Sequence, residues 1–199
     1  MLDLSGRVAL VTGAGQGVGA GIAGALAQQG ATVWVNDLFE DRARAVADDV
    51  GGKPVVFDVT DLAAVRAGVA TVGRVDVPVN NAGIPVEGFP QVDFKDSDPE
   101  LWRRFVDLDI YGVMNCTHAT ISGMCERRWG RVITIGSEAG RVGSPIRVSL
   151  YGTAKAGAMC EVEDASRRVR QGEAAGRDRE DPTGGQPADR VDDESMHVR

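Results

Sequence analysis

The sequence lacks the features of a nucleic-acid-binding, membrane-spanning or secreted protein. Its 29 acidic residues outnumber its 22 basic ones, giving a net charge of −7, and it contains no dense basic block. Neutralising phosphates requires clustered Lys and Arg, so we expect no nucleic-acid partner. No apolar run approaches the ~18 residues of a membrane span. Residues 1–7 lack the basic and apolar regions of a signal peptide. We therefore expect a cytoplasmic protein with no membrane partner.

Cysteine and histidine are also scarce, which argues against disulfides and metal sites. Cys116, Cys125 and Cys160 are odd in number and show no Cys-x-x-Cys spacing. We interpret them as buried or incidental thiols. His118 lies in a predicted helix, with no second His, Cys or acid at the spacing of a metal ligand. The sequence therefore predicts no metal site.

Glycine is abundant, and its most informative cluster lies near the start of the chain. Residues 8–19 read VALVTGAGQGVG, which predicts a buried strand running into a glycine-rich turn, and residues 20–27 predict a helix. Glycines let backbone amides approach a ligand, and the helix directs the positive end of its dipole at that ligand. This context favours a pyrophosphate site over a purely structural turn. The predicted cofactor-binding residues of the turn are Thr12, Gly13, Gln16, Gly17, Val18 and Gly19.

Two aspartates follow the next predicted strands. Asp37 ends a strand over residues 31–37, 18 positions after Gly19. An acid there accepts hydrogen bonds from the adenosine ribose and repels a 2′-phosphate, so it favours NAD over NADP. The alternative is a helix cap for the segment that begins near residue 40. A third strand over 54–59 places Asp58 and Val59 where they can reach an adenine.

The remaining pattern of strands and helices predicts a doubly wound parallel sheet of the α/β class. A helix capped by Asp61 runs to about residue 72, and a strand over 75–80 leads into Asn81-Ala82-Gly83. Pro78 is unexpected inside that strand, because proline removes a ladder hydrogen bond. A long helix over about 100–125 precedes a strand over 131–137 and a helix that starts near residue 151. Right-handed crossovers place the carboxyl ends of all strands on one rim, where ligands bind.

A second group of candidate site residues lies at the end of the fifth strand and in the helix that follows. Tyr151 and Lys155 are four residues apart, so they share one helix face. A cation beside a phenol stabilises the phenolate, which suits Tyr151 to act as an acid or base near neutral pH. Ser137, at the end of the preceding strand and 14 residues before Tyr151, can hold a carbonyl oxygen. Taken alone, a Tyr-x-x-x-Lys pair is more often a solvated helix face.

Over about residues 4–157, the sequence resembles the short-chain dehydrogenase/reductase family. Three motifs support the resemblance: the glycine turn, the segment Asn80-Asn81-Ala82-Gly83, and the set formed by Ser137, Tyr151 and Lys155. The resemblance implies that Tyr151 exchanges the alcohol proton, Lys155 binds the nicotinamide ribose, and Ser137 orients the substrate oxygen. It also implies that Asn81, Ala82 and Gly83 line the cofactor site. Where the family has an asparagine that holds a relay water, this chain has Asp109, which can pair with Lys155 or hold the water.

The resemblance fades after the helix that carries Lys155. Residues 161–199 contain no strand-like run and no aromatic residue, and such a segment buries too little apolar area to offset its ordering entropy. We expect an incomplete dinucleotide-binding domain over 1–165 that lacks the family's last two strands, followed by a disordered tail over 166–199. A truncation or a change of reading frame would explain this. A family-like homo-oligomer would be weakened.

These observations together predict an NAD-dependent oxidoreductase that transfers a hydride between the cofactor and a small-molecule secondary alcohol or ketone. Two alternatives remain at this stage: an impaired family member that only binds dinucleotide, and a reductase of 3-oxoacyl thioesters. The predicted catalytic residues are Ser137, Tyr151, Lys155 and Asp109.

Overall fold

The computed structural model describes residues 3–85, 88, 90, 92–143 and 147–159. The strands are β1 (Val8–Val11), β2 (Thr32–Asp37), β3 (Lys53–Val56), β4 (Val77–Asn80) and β5 (Ile133–Thr134). They form one parallel sheet in the order β3-β2-β1-β4-β5. This sheet confirms the predicted doubly wound α/β class. The predictions for residues 160–199, including the expected tail, lie outside the described residues.

Helices alternate with these strands. They are α1 (Gly17–Gln28), α2 (Glu40–Val50), α3 (Leu62–Val72), α4 (Pro99–Val106), α5 (Gly112–Glu126), α6 (Glu138–Val142) and α7 (149–159), with a π-helical turn over Asp107–Tyr111 and a 3-10 turn over Phe94–Asp96. Within the described ranges, no helix is long and apolar enough to cross a membrane.

The helices cover both faces of the sheet, as an all-parallel sheet requires. Successive residues of β1 point to opposite faces. Ala9 and Val11 pack in one buried cluster with α1 and α2, whereas Leu10 packs in the other with α3 and α5. The carboxyl ends of the strands consequently meet at one rim, from which the glycine turn and α1 extend.

Local sequence signals explain several boundaries. The Asp61 carboxylate accepts hydrogen bonds from the amides of Ala63 and Ala64, so it caps α3 as predicted. Gly51 ends α2 in the left-handed conformation, with a φ of 66°.

Three features differ from the sequence expectation. The predicted long helix over 100–125 is divided by the π-helical turn, and α6 lies within a segment expected to be a loop. The third and fifth strands are shorter than predicted.

Pro78 lies inside β4 opposite Leu10 of β1, while the pairing with β5 begins at Val79 opposite Ile133. The missing amide therefore falls at the start of that ladder, where its loss costs least.

Candidate active site

The glycine turn at the rim has the backbone geometry of an anion site. Gly13 and Gly17 have φ angles of 58° and 57°, in the left-handed region that favours glycine. Gln16 occupies the N-cap position of α1 without making a side-chain capping hydrogen bond, and the first turn of α1 contains no acid. The positive end of this helix is therefore not neutralised by its own side chains.

Asn81 fixes the turn to the end of β4. Its side-chain amide donates hydrogen bonds to the carbonyls of Thr12 at 2.9 Å and Gly13 at 3.0 Å. A Cβ on Gly19 would lie 2.5 Å from Asn81 Nδ2 and 2.7 Å from the Gly13 carbonyl oxygen. Gly19 is therefore required for the close packing of α1 against the turn, independently of any ligand.

The Thr12 hydroxyl links β1 and β4 at the same place. Its Oγ1 accepts from the backbone amides of Asn81 at 3.0 Å and Ala82 at 3.2 Å, and it donates to the Val79 carbonyl at 3.2 Å. Thr12 is buried, so this hydroxyl satisfies amides that water does not reach.

Asp37 lies beside the turn, and Gly15 contacts it. Asp37 Oδ2 accepts from the Gly15 amide at 3.0 Å, and Oδ1 accepts from the Phe39 amide at 3.1 Å. Each carboxylate oxygen can accept a further hydrogen bond. Sequence reasoning missed Gly15, although a Cβ there would lie 2.6 Å from Asp37 Oδ2. The sequence could have indicated a role for Gly15, because Gly15 belongs to the same glycine cluster as the predicted cofactor-binding residues.

Within the described residues, the side chain of Asp58 makes hydrogen bonds to its near neighbour Thr60. Its Oδ1 accepts from the amide and the hydroxyl of Thr60, both at 2.8 Å. Asn115 of α5 donates to the carbonyl of the neighbouring Val59 at 2.9 Å and thereby holds the loop that follows β3. Sequence reasoning had assigned Asn115 no part in holding this loop.

Asp109 and Lys155 form a buried ion pair. Lys155 Nζ lies 2.9 Å from Asp109 Oδ1, and the two side chains are 4% and 0% exposed. Burial raises the pKa of Asp109 to about 6, although the Lys155 ammonium acts to lower it. A Cβ on Gly83 would lie 2.6 Å from Asp109 Oδ1 and even closer to Lys155 Nζ. Gly83 therefore packs directly against the pair.

Tyr151 lies next to this pair on α7. Lys155 Nζ is 5.8 Å from the centroid of the Tyr151 ring. The Phe105 ring of α4 meets the Tyr151 ring edge-on, with the centroids 6.3 Å apart, a contact that the sequence pattern had not indicated. Phe105 and Asp109 are four residues apart, so α4 and the π-helical turn approach Tyr151 and Lys155 together.

Ser137 follows β5 and caps α6. Its Oγ accepts from the Ala139 amide at 3.2 Å. Helices α6 and α7 are in backbone contact, because a Cβ on Gly140 would lie 2.8 Å from the Ala156 amide nitrogen and one on Gly152 would lie 2.6 Å from the Ala139 carbonyl oxygen. These glycines hold the segment that carries Ser137 against the helix that carries Tyr151.

Metal ligands are not grouped in this region. The described residues contain no cluster of three or more His, Cys, Asp or Glu that could hold an ion. Cys116 and Cys125 are buried free thiols, and burial raises the pKa of Cys116 to about 12. Burial and a raised pKa are typical of a structural thiol rather than of a nucleophile.

Comparison with known sequences identifies relatives over most of the chain. The family model described as short chain dehydrogenase matches residues 7–171. The 3-oxoacyl-[acyl-carrier-protein] reductase FabG of Vibrio harveyi is 33% identical over 174 residues, covering 84% of this chain and 69% of the relative. The acetoacetyl-CoA reductase of Paracoccus denitrificans is 38% identical over 156 residues, covering 76% of this chain and 62% of the relative.

Solved structures agree with the sequence comparison. A short-chain type dehydrogenase/reductase from Mycobacterium marinum superposes with a TM-score of 0.77 at 31% identity, covering 85% of this chain and 70% of its own. A gluconate 5-dehydrogenase from Burkholderia cenocepacia, in complex with NADP and tartrate, has a TM-score of 0.75 at 32% identity and covers 83% of this chain and 66% of its own.

Proposed function

Because the chain belongs to the short-chain dehydrogenase family and is an NAD(P)-dependent oxidoreductase, we propose that it uses NAD to interconvert a secondary alcohol and a ketone. One observation carries this proposal. The buried Lys155 ammonium lies 5.8 Å from the Tyr151 ring, on a helix that packs against the Ser137 segment. Ser137 follows β5, and its segment is in backbone contact with the helix that carries this phenol and this cation, which supports the proposed site.

The residues at the rim fit a dinucleotide. The turn leaves the amides at the start of α1 without a capping side chain or an acid, which suits a pyrophosphate. The Asp37 carboxylate is 7% exposed, and a 2′-phosphate beside it would place two anions together without a partner cation. Arg42 is engaged with the Phe39 ring, its Cζ 4.4 Å from the centroid. This arrangement supports NAD over NADP.

The chain's own residues then supply positions for proton transfer. When bound, the nicotinamide would supply the hydride donor or acceptor. Tyr151 accepts the alcohol proton in oxidation and returns it in reduction. Lys155 stabilises the phenolate form, and Ser137 donates a hydrogen bond to the substrate oxygen. The side of Tyr151 and Ser137 that faces the cofactor is lined by Lys155, Asn81, Ala82 and Gly83.

Spectrophotometry of hydride transfer tests the proposal. The purified chain is incubated with NAD and a panel of secondary alcohols, and the absorbance of reduced nicotinamide is followed. Tyr151→Phe should lower the rate by roughly 10²–10⁴-fold, because it removes the proton-transfer group. The matched control is Tyr111→Phe, since the chain has two tyrosines and Tyr111 is 53% exposed. Equal rates for the two variants would contradict the assignment of Tyr151.

A 3-oxoacyl-thioester reductase is the second candidate, and the names of two relatives favour it. The same assay distinguishes it, with reduced cofactor and a 3-oxoacyl thioester as the substrate pair. Consumption of reduced cofactor with the thioester, but not with simple ketones, would assign the narrower activity. If NAD raises the thermal stability of the chain but no substrate turns over, the chain is a dinucleotide binder without catalysis.

A further inference from the structure

The Asp109–Lys155 ion pair lies beside the proposed proton-transfer group, with Lys155 Nζ 5.8 Å from the centroid of the Tyr151 ring. The two charged atoms are 2.9 Å apart and both side chains are almost wholly excluded from solvent. Asp109 Oδ2 has no hydrogen-bond partner among the described residues. A buried ion pair is costly to form and strongly coupled once formed, because solvent does not screen it.

The surrounding backbone packs closely against the pair. Asp109 lies on the π-helical turn Asp107–Tyr111, a type of irregularity that is frequent at functional sites. Gly83 closes one side of the pair, since a Cβ there would overlap both charged groups. On the other side, a Cβ on Gly157 of α7 would lie 3.0 Å from Ile110 Cδ1, next to Asp109. The turn and α7 are therefore packed in direct contact.

We propose that Asp109 is a positioning residue that fixes the Lys155 ammonium and offsets its charge at Tyr151, so that proton transfer by Tyr151 shifts to higher pH. This inference rests on the proposed function. Lys155 Nζ lies 5.8 Å from the centroid of the Tyr151 ring, and a unit charge at such a separation changes a titration midpoint by roughly one to two pH units at an effective dielectric constant near 20. The opposite charge of Asp109, 2.9 Å from the same ammonium, reverses part of that change, roughly one pH unit at the same dielectric constant.

Among the described residues, a second ion pair near Tyr151 joins Arg147 and Asp93. Arg147 and Tyr151 line the same small cavity, and Arg147 Nε lies 3.0 Å from Asp93 Oδ1. This pair is unchanged by substitution at Asp109. A shift that follows substitution of Asp109 therefore reports on the Asp109–Lys155 pair.

The effect on catalysis has a fixed form. The equilibrium constant at a given pH does not depend on the enzyme, so a change at Asp109 that leaves the affinities for both cofactor forms unchanged must alter the forward and reverse kcat/KM by the same factor. Asp109→Asn should move the midpoint of the pH profile down by about one unit. With a Brønsted slope near one half, both rates at neutral pH should rise by roughly threefold.

Direct titration of the phenol tests the inference without using activity. Tyr111→Phe leaves Tyr151 as the single tyrosine of the chain, so the ultraviolet absorbance of the phenolate then reports on Tyr151 alone. In this background, Asp109→Asn should lower the midpoint by about one pH unit. The control is Asp107→Asn, which removes an exposed carboxylate from the same turn and should leave the midpoint unchanged.

The outcomes separate this inference from the proposed function. If the phenol titration has the same midpoint in the Tyr111→Phe chain with and without Asp109→Asn, the inference is overturned, even if the enzyme transfers hydride. A downward shift in a chain that turns over no substrate would support the charge coupling and contradict the proposed function. If Asp109→Asn does not unfold cooperatively, Asp109→Ser removes the same charge with a smaller side chain and should give the same downward shift.

Discussion

The contact between Gly83 and the Asp109–Lys155 pair predicts that Gly83→Ala destabilises the fold. The new Cβ would lie 2.6 Å from Asp109 Oδ1 and closer still to Lys155 Nζ, whereas carbon contacts are normally about 3.5 Å or longer. The charged groups must therefore move by about 1 Å. Overpacking alone costs about 1–3 kcal/mol, and leaving a buried charge without its partner costs about 3–5 kcal/mol. We expect the free energy of unfolding to fall by about 3 kcal/mol.

Urea unfolding at neutral pH measures this change. The matched control is Gly21→Ala in α1, where the added Cβ meets nothing within 4 Å and should stabilise the helix by roughly 0.5–1 kcal/mol. The m-value should stay the same in both variants, since the folded state remains compact. If Gly83→Ala unfolds at the same urea concentration as the unmodified chain, Gly83 is not packed against the pair as described.

Two further predictions concern the same rim. Thr12→Val should lower the free energy of unfolding by about 2–4 kcal/mol, because it leaves the amides of Asn81 and Ala82 without their acceptor. Urea unfolding measures this change. The control is Thr71→Val on an exposed helix face, which should change the free energy of unfolding by less than about 0.5 kcal/mol. The second concerns pH. Burial raises the pKa of Asp109 from 3.8 to about 6, so the folded chain binds more protons than the unfolded chain between these values. The contribution of Asp109 to stability is therefore present at low pH and lost as the pH rises through that window. The stability of the unmodified chain relative to Asp109→Asn should fall by up to about 3 kcal/mol between pH 4 and pH 7, as measured by thermal unfolding, and a pH-independent difference would contradict this.

The sequence predicted those parts of the fold whose signals are local. The strand, turn and helix around the glycine cluster appear as expected, and α3 begins after Asp61 because a carboxylate at the N-cap satisfies amides of the first turn. In each case the residues that fix the element lie within a few positions of its boundary.

Features that depend on tertiary packing were harder to predict. The apolar spacing of residues 100–125 continues through the π-helical turn, so nothing in the spacing indicated a break there. The 3.0 Å approach of Gly15 to Asp37 joins residues 22 positions apart. The contact of α6 with α7 depends on Gly140 and Gly152, and an isolated glycine gives no sign of what it packs against.

In the candidate site, too, the features set by local spacing were predictable and those set by tertiary packing were not. Tyr151 and Lys155 share a face of α7 because their spacing is helical. The sequence offered two outcomes for Asp109, a pair with Lys155 or a held water, and it could not choose between them, because the choice depends on how α4 and the π-helical turn pack against α7. The 2.9 Å distance between Asp109 Oδ1 and Lys155 Nζ is a property of that packing.

Calorimetric titration of the purified chain with NAD and then with NADP tests the central claim, that the glycine turn and Asp37 form a dinucleotide site. We expect saturable binding of NAD at one site per chain and weaker binding of NADP, because the 2′-phosphate meets the buried Asp37 carboxylate. Asp37→Ser should reduce the difference between the two cofactors. Absence of binding heat with both cofactors, or tighter binding of NADP than of NAD to the unmodified chain, would contradict the account.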